Sequence, residues 1–115
     1  MQLYGIPNCD RVRQARRWLE QAGFKFEFID LRRQPPSAET LEGWLAQIPP
    51  EQLINRLSPT WRRLKPRQRI GYTPQHWIRL LLKHPILLRR PLLVRPDGTL
   101  ICRFDPSEHG AGLTR

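Results

Sequence analysis

Residues 2–30 read QLYGIPNCDRVRQARRWLEQAGFKFEFID, and the order of elements in this stretch decides the fold. Gln2–Gly5 is a short apolar run ending in Gly5, Pro7 and Asn8, the composition of a strand that enters a turn. Val12, Ala15, Leu19 and Ala22 then recur at helical spacing, and Trp18 widens their stripe. A helix is therefore expected over Asp10–Ala22, with Gly23 as its stop. Phe24, Phe26 and Phe28 alternate with Lys25 and Glu27 and lead into Ile29, which is the period of a half-buried strand. Strand, helix and strand with so short a connection favour a parallel pair with a right-handed crossover.

Working outward, Gln34-Pro-Pro-Ser37 breaks the pattern. Ser37 opens a helix through Leu41, Trp44, Leu45 and Ile48, and Pro49-Pro50 closes it. Glu51–Leu57 is a short helical candidate, and Ser58-Pro59-Thr60 opens another through Trp61 and Leu64. Thr73-Pro74 places proline in a first helical turn, and the helix continues through Trp77, Leu80 and Leu81 to about Lys83. Residues 37–84 thus form a helical insert without strands. Beyond it, the apolar runs Pro91–Val94 and Thr99–Cys102 flank Arg95-Pro96-Asp97-Gly98, the pattern of an antiparallel hairpin. Asp105-Pro106 opens a last short helix. The chain is expected to be α/β: one domain over 1–115, a four-stranded mixed sheet with helices, the insert separating its two halves.

The length of 115 residues suits one compact domain. No apolar run reaches the ~20 residues that span a bilayer, and Leu3–Ile6 is too short for a signal peptide, so a cytoplasmic protein is expected. The net charge is +10, and it is uneven: residues 1–57 carry 8 basic and 7 acidic side chains, residues 58–115 carry 12 and 3. Such a half suggests an anionic substrate or nucleic acid, the alternative being a solvated basic face. Arg62, Arg63, Lys65, Arg67 and Arg69 beside Trp61 are the densest run, but no nucleic-acid motif accompanies them, and nucleic acid is not expected as a partner. Two cysteines are too few for a disulfide framework. His76, His84 and His109 have no metal-ligand spacing with them, and no metal is expected.

Cys9 is the sharpest candidate for chemistry. It lies between a strand end and a helix start, where unpaired amides and the helix dipole favour an anion such as a thiolate. Arg11 and Arg13 add positive charge and Asp10 opposes it. The alternative is a buried, inert cysteine. Cys9-Asp10-Arg11-Val12 lacks a C-x-x-C partner, so turnover needs an external thiol or Cys102 as a resolving thiol. For Cys102 a small apolar core residue is the favoured reading. Arg56, Arg90 and Arg103 are candidate oxyanion ligands, because guanidinium forks match paired oxygens.

Tyr4-Gly-Ile-Pro-Asn-Cys9-Asp10, Ala15-Arg-Arg-Trp-Leu19 and His84-Pro-Ile-Leu-Leu-Arg-Arg-Pro-Leu-Leu-Val94 resemble the ArsC/Spx/YffB family, the arsenate-reductase-like branch of the thioredoxin superfamily. The N-terminal block is most similar to the YffB-like subgroup. The resemblance implies a thioredoxin-like fold with Cys9 as nucleophile and a cis Pro91 facing it. It implies attack of the thiolate on arsenate, glutathione as reductant, and glutaredoxin to complete the reduction. Arg90 and Arg103 match two of the family's three oxyanion-binding arginines. Arg56 lies one position out of step with the third, with Asn55 and Leu57 as its alternatives, and Asn8 joins them as a substrate-binding candidate. Gly5 stands where arsenate reductases carry a histidine, and Asp10-Arg11-Val12-Arg13 replaces their G-T-S-R run. The expected function is a glutathione-dependent thiol reductase with one nucleophilic cysteine. The alternative within the same resemblance is an Spx-like protein that binds RNA polymerase without catalysis.

Overall fold

The computed structural model describes residues 1–114. The chain divides into two compact units, one formed by residues 1–33 with the segment from Arg90 onward, the other by residues 34–89.

The first unit contains a four-stranded mixed sheet of order β2-β1-β3-β4, as the sequence leads one to expect. Its strands are β1 (Gln2–Gly5), β2 (Glu27–Asp30), β3 (Leu92–Val94) and β4 (Leu100–Cys102). β1 and β2 are parallel, β3 is antiparallel to β1, and β4 is antiparallel to β3. The rung Phe28, Leu3, Leu93 and Ile101 crosses all four strands. Because successive side chains alternate faces, this rung presents one apolar row. Helix α1 (Asp10–Gln21) supplies Ala15 and Leu19 to the same core, together with Phe104. Each such leucine or phenylalanine contributes roughly 1.5–3 kcal/mol by leaving water. Gly98, at φ 89°, makes the β3–β4 turn, a backbone region that residues with a Cβ rarely enter. Helix α7 (Pro106–His109) follows, its Ser107 N–H donating to the Asp105 carboxylate at 2.9 Å.

The phenylalanine alternation overestimates β2, which begins at Glu27 and not at Phe24. β1 starts at Gln2, whose partner is Glu27, and the Glu27 N–H already reaches the Met1 carbonyl at 2.9 Å. Upstream of Glu27 the sheet offers no strand residue to pair with. Phe24 and Phe26 pack against the core instead, Phe24 stacked on Trp18 at 5.8 Å between ring centroids.

The second unit is helical: α2 (Ala38–Gln47), α3 (Pro50–Leu53), α4 (Pro59–Arg62), α5 (Pro66–Arg69) and α6 (Pro74–Lys83), then a 3-10 turn at Pro85–Leu87. α2 packs against α6, and Leu41, Trp44, Trp77, Leu80 and Leu81 are buried. The helix expected over Glu51–Leu57 stops at Leu53. Ile54 turns extended and bridges Leu88, while Asn55 N–H bonds the Leu87 carbonyl and Arg89 N–H the Leu53 carbonyl. The helix opened by Ser58 likewise ends at Arg62, short of Leu64. Pro66 excludes the helical conformation at Lys65, which sits at φ −68°, ψ 151° and starts α5, a helix the apolar spacing does not announce.

Candidate active site

Strand directions gather the candidate residues at one edge of the sheet. Because β1 and β2 run parallel, the loops after Gly5 and after Asp30 leave on the same side. β3 runs opposite to β1, so the chain enters β3 on that side, through Arg90 and Pro91. β4 reverses again and leaves there through Arg103. Cys9, Arg90, Pro91 and Arg103 therefore share one edge, with Arg32 beyond β2.

Cys9 caps α1. Its backbone is extended (φ −102°, ψ 124°), and its carbonyl accepts the Arg13 N–H at 2.9 Å. Its side chain makes no capping hydrogen bond, which leaves the half-buried sulfur beside the positive end of a twelve-residue helix. Arg13 pairs with Asp10, so those two charges largely answer each other. Asn8 is exposed in the turn before Cys9. Pro91 is buried, and the Arg90–Pro91 bond is cis. The Phe104 N–H donates to the Pro91 carbonyl at 2.9 Å and thereby ties the segment after β4 to the segment before β3.

Arg90 is half-buried. Burial draws its pKa below the ordinary guanidinium value, the negative charge of Cys9 pushes it back up, and the cation of Arg32 lowers it. Arg90 and Cys9 are thus electrostatic neighbours, and a guanidinium stays charged throughout the neutral range. Arg103 is exposed in the left-handed region at φ 54°, where a residue other than glycine carries backbone strain. Arg32 escapes the sequence reading. It looks like any other arginine until the register Gly5–Asp30 sets it at this edge.

Arg56 belongs to the second unit, where it is exposed with its guanidinium 5.5 Å from the Trp61 ring centroid. In the same unit Arg62, Arg63, Lys65 and Arg67 are exposed, and Arg69 donates to the Arg62 carbonyl at 2.8 Å. Cys102 is a half-buried thiol on β4, and neither cysteine forms a disulfide. Among the described residues no group of three or more His, Cys, Asp or Glu side chains is arranged to hold a metal ion. Among them, too, no helix is long and apolar enough to cross a membrane.

At Gly5 a Cβ would lie 2.7 and 2.9 Å from the Cγ atoms of Val12. Such separations are shorter than carbon atoms tolerate, so a side chain at position 5 has no room here while Val12 stands on α1.

A four-stranded mixed sheet of this order, whose first strand leads into a helix capped by a cysteine, is the fold of the thioredoxin superfamily. The chain belongs to the ArsC family, whose model matches residues 4–109. An arsenate reductase of Escherichia coli is 29% identical over 111 residues, which span 92% of this chain and 74% of that one. Among solved structures, a YffB protein superposes with a TM-score of 0.86 at 29% identity over 98% of both chains. An ArsC-related protein from Brucella melitensis does so with a TM-score of 0.73 at 38% identity, covering 96% of this chain and 91% of that one.

Proposed function

We propose that the chain is a glutathione-dependent thiol reductase in which Cys9 is the nucleophile and the substrate is a small oxyanion, arsenate first among them. The observation that supports this most is the placement of Cys9, as the cap of α1, at the sheet end that it shares with Arg90. A helix start and a guanidinium at the same end of the sheet make a place to which an incoming anion is attracted.

In this reading Cys9 attacks the central atom of the oxyanion, and one oxygen leaves as water after protonation. Arg90 and Arg103 neutralise the charge that builds on the remaining oxygens, and Asn8 adds a side-chain amide at the turn. Arg56 enters by the family resemblance alone. Reduction of arsenate to arsenite takes two electrons. Two glutathione thiols supply them as they become one disulfide, with glutaredoxin resolving the mixed disulfide.

Replacing Cys9 by Ser is expected to abolish glutathione-dependent reduction, measured as coupled oxidation of glutathione with arsenate. A Cys9→Ser variant as active as the parent would overturn Cys9 as the nucleophile, whereas a parent protein that reduces nothing would favour the non-catalytic alternative. For that alternative the readout is a stable complex with RNA polymerase that survives the substitution.

A further inference from the structure

The β2 side of the sheet edge holds a cation that the chemistry above does not use. The Leu31 N–H donates to the Gly5 carbonyl at 2.9 Å and continues the β1–β2 pairing one residue past the strand. The Arg32 N–H then donates to the Asp30 carboxylate at 2.9 Å, and the Arg33 N–H to the Asp30 carbonyl at 3.1 Å. These bonds hold the backbone at Arg32 at the end of β2. β1 lies between β2 and β3, so the loop that carries Cys9 is flanked by Arg32 on one side and Arg90 on the other.

The two guanidinium groups are near enough for each to feel the other's charge. Like charges held together favour an anion between them. Their exposures differ: Arg90 is half-buried and coupled to the sulfur, whereas Arg32 is exposed, farther out on the β2 flank. An anionic group remote from the reacting sulfur fits that outer position.

We propose that Arg32 binds a carboxylate on the thiol or disulfide that reacts with Cys9, so that the site selects carboxylate-bearing thiols over neutral ones. This rests on Cys9 being the nucleophile, and it adds the residue that recognises the co-substrate. The guanidinium fork accepts a carboxylate through two parallel hydrogen bonds.

The test uses the full chain and glutathione disulfide. The Cys9 thiolate attacks one sulfur, a Cys9–glutathione disulfide forms, and one glutathione thiolate leaves. The rate of adduct formation is followed by mass, with the modified peptide identified and Cys9→Ser as background for Cys102. Hydroxyethyl disulfide, which is neutral, is the comparison at the same pH and ionic strength. Arg32→Ala is expected to slow the glutathione reaction about fivefold, the order of an exposed guanidinium–carboxylate pair, and to leave the neutral disulfide unchanged. Arg32→Lys should recover part of the loss, and Arg33→Ala, which removes the same charge one residue away, should change neither rate. Equal slowing of both disulfides, no slowing of either, or the same loss in Arg33→Ala would overturn the role of Arg32 and leave Cys9 as nucleophile standing. Absence of any Cys9 adduct in the parent protein would overturn both.

Discussion

At position 5 a hydrogen atom is the largest side chain that fits. Two Cγ atoms of Val12 stand within 3.0 Å of the place a Cβ would take, and a β-branched side chain on a helix has little rotamer freedom with which to retreat. Gly5→Ala is therefore expected to destabilise the protein by about 1–3 kcal/mol, seen as a lower urea midpoint. Adding Val12→Ala should make the double variant more stable than the sum of the single losses. Strict additivity would show that the contact is not the cause. Cys9, Arg90, Pro91 and Arg103 were legible as candidates from local context and motif. The reason for Gly5 was not, because the approach of Val12 depends on how α1 leaves the end of β1. Arg32 was not legible either: nothing in its neighbours' identities distinguishes it from Arg33.

Where a Ser or Thr side chain caps a helix, its start was read almost to the residue because a cap is a local device. The Ser37 hydroxyl accepts the Thr40 N–H at 3.1 Å, Ser58 accepts that of Trp61 at 3.2 Å, and Thr73 that of His76 at 3.4 Å. Ser37→Ala should cost about 1 kcal/mol, measured as a shift in the urea unfolding midpoint, with Ser37→Asp close to the parent. An unchanged midpoint in Ser37→Ala would mean that α2 takes its stability from packing on α6 and not from its cap. Element ends were less legible. β2 begins where β1 first offers a partner, and α3 ends where Leu88 and Leu87 draw Ile54 and Asn55 out of the helix. Both limits are set by segments distant in sequence, which no local pattern of residues encodes.

Across the whole molecule the net charge is +10, and two of the carboxylates are held by hydrogen bonds close in sequence. The backbone N–H of Thr99, followed by its hydroxyl, holds the Asp97 carboxyl below its ordinary 3.8. The Ser107 hydroxyl and N–H do the same for Asp105 at the cap of α7. Each folded value lies below the unfolded one, so the stabilisation is complete above the ordinary value and disappears as pH falls through the lower, folded one. The urea midpoint is expected to be lower at pH 3 than at pH 6, and Asp97→Asn with Asp105→Asn should make that difference smaller. An equally large difference in the double variant would assign the acid sensitivity to general repulsion among the cations. By itself the sequence determined the strands and the longer helices, the Ser and Thr helix caps, the order of strands along the chain and the one cysteine at a helix start. These are properties of neighbouring residues, carried by periodicity and by hydrogen bonds that close within a turn. Only the tertiary structure decided that Cys9, Arg32, Arg90 and Arg103 share one edge and that Val12 excludes a side chain at position 5. Strand register and helix placement follow from pairing and packing between segments far apart in the chain, and those partners exist only once the sheet has formed.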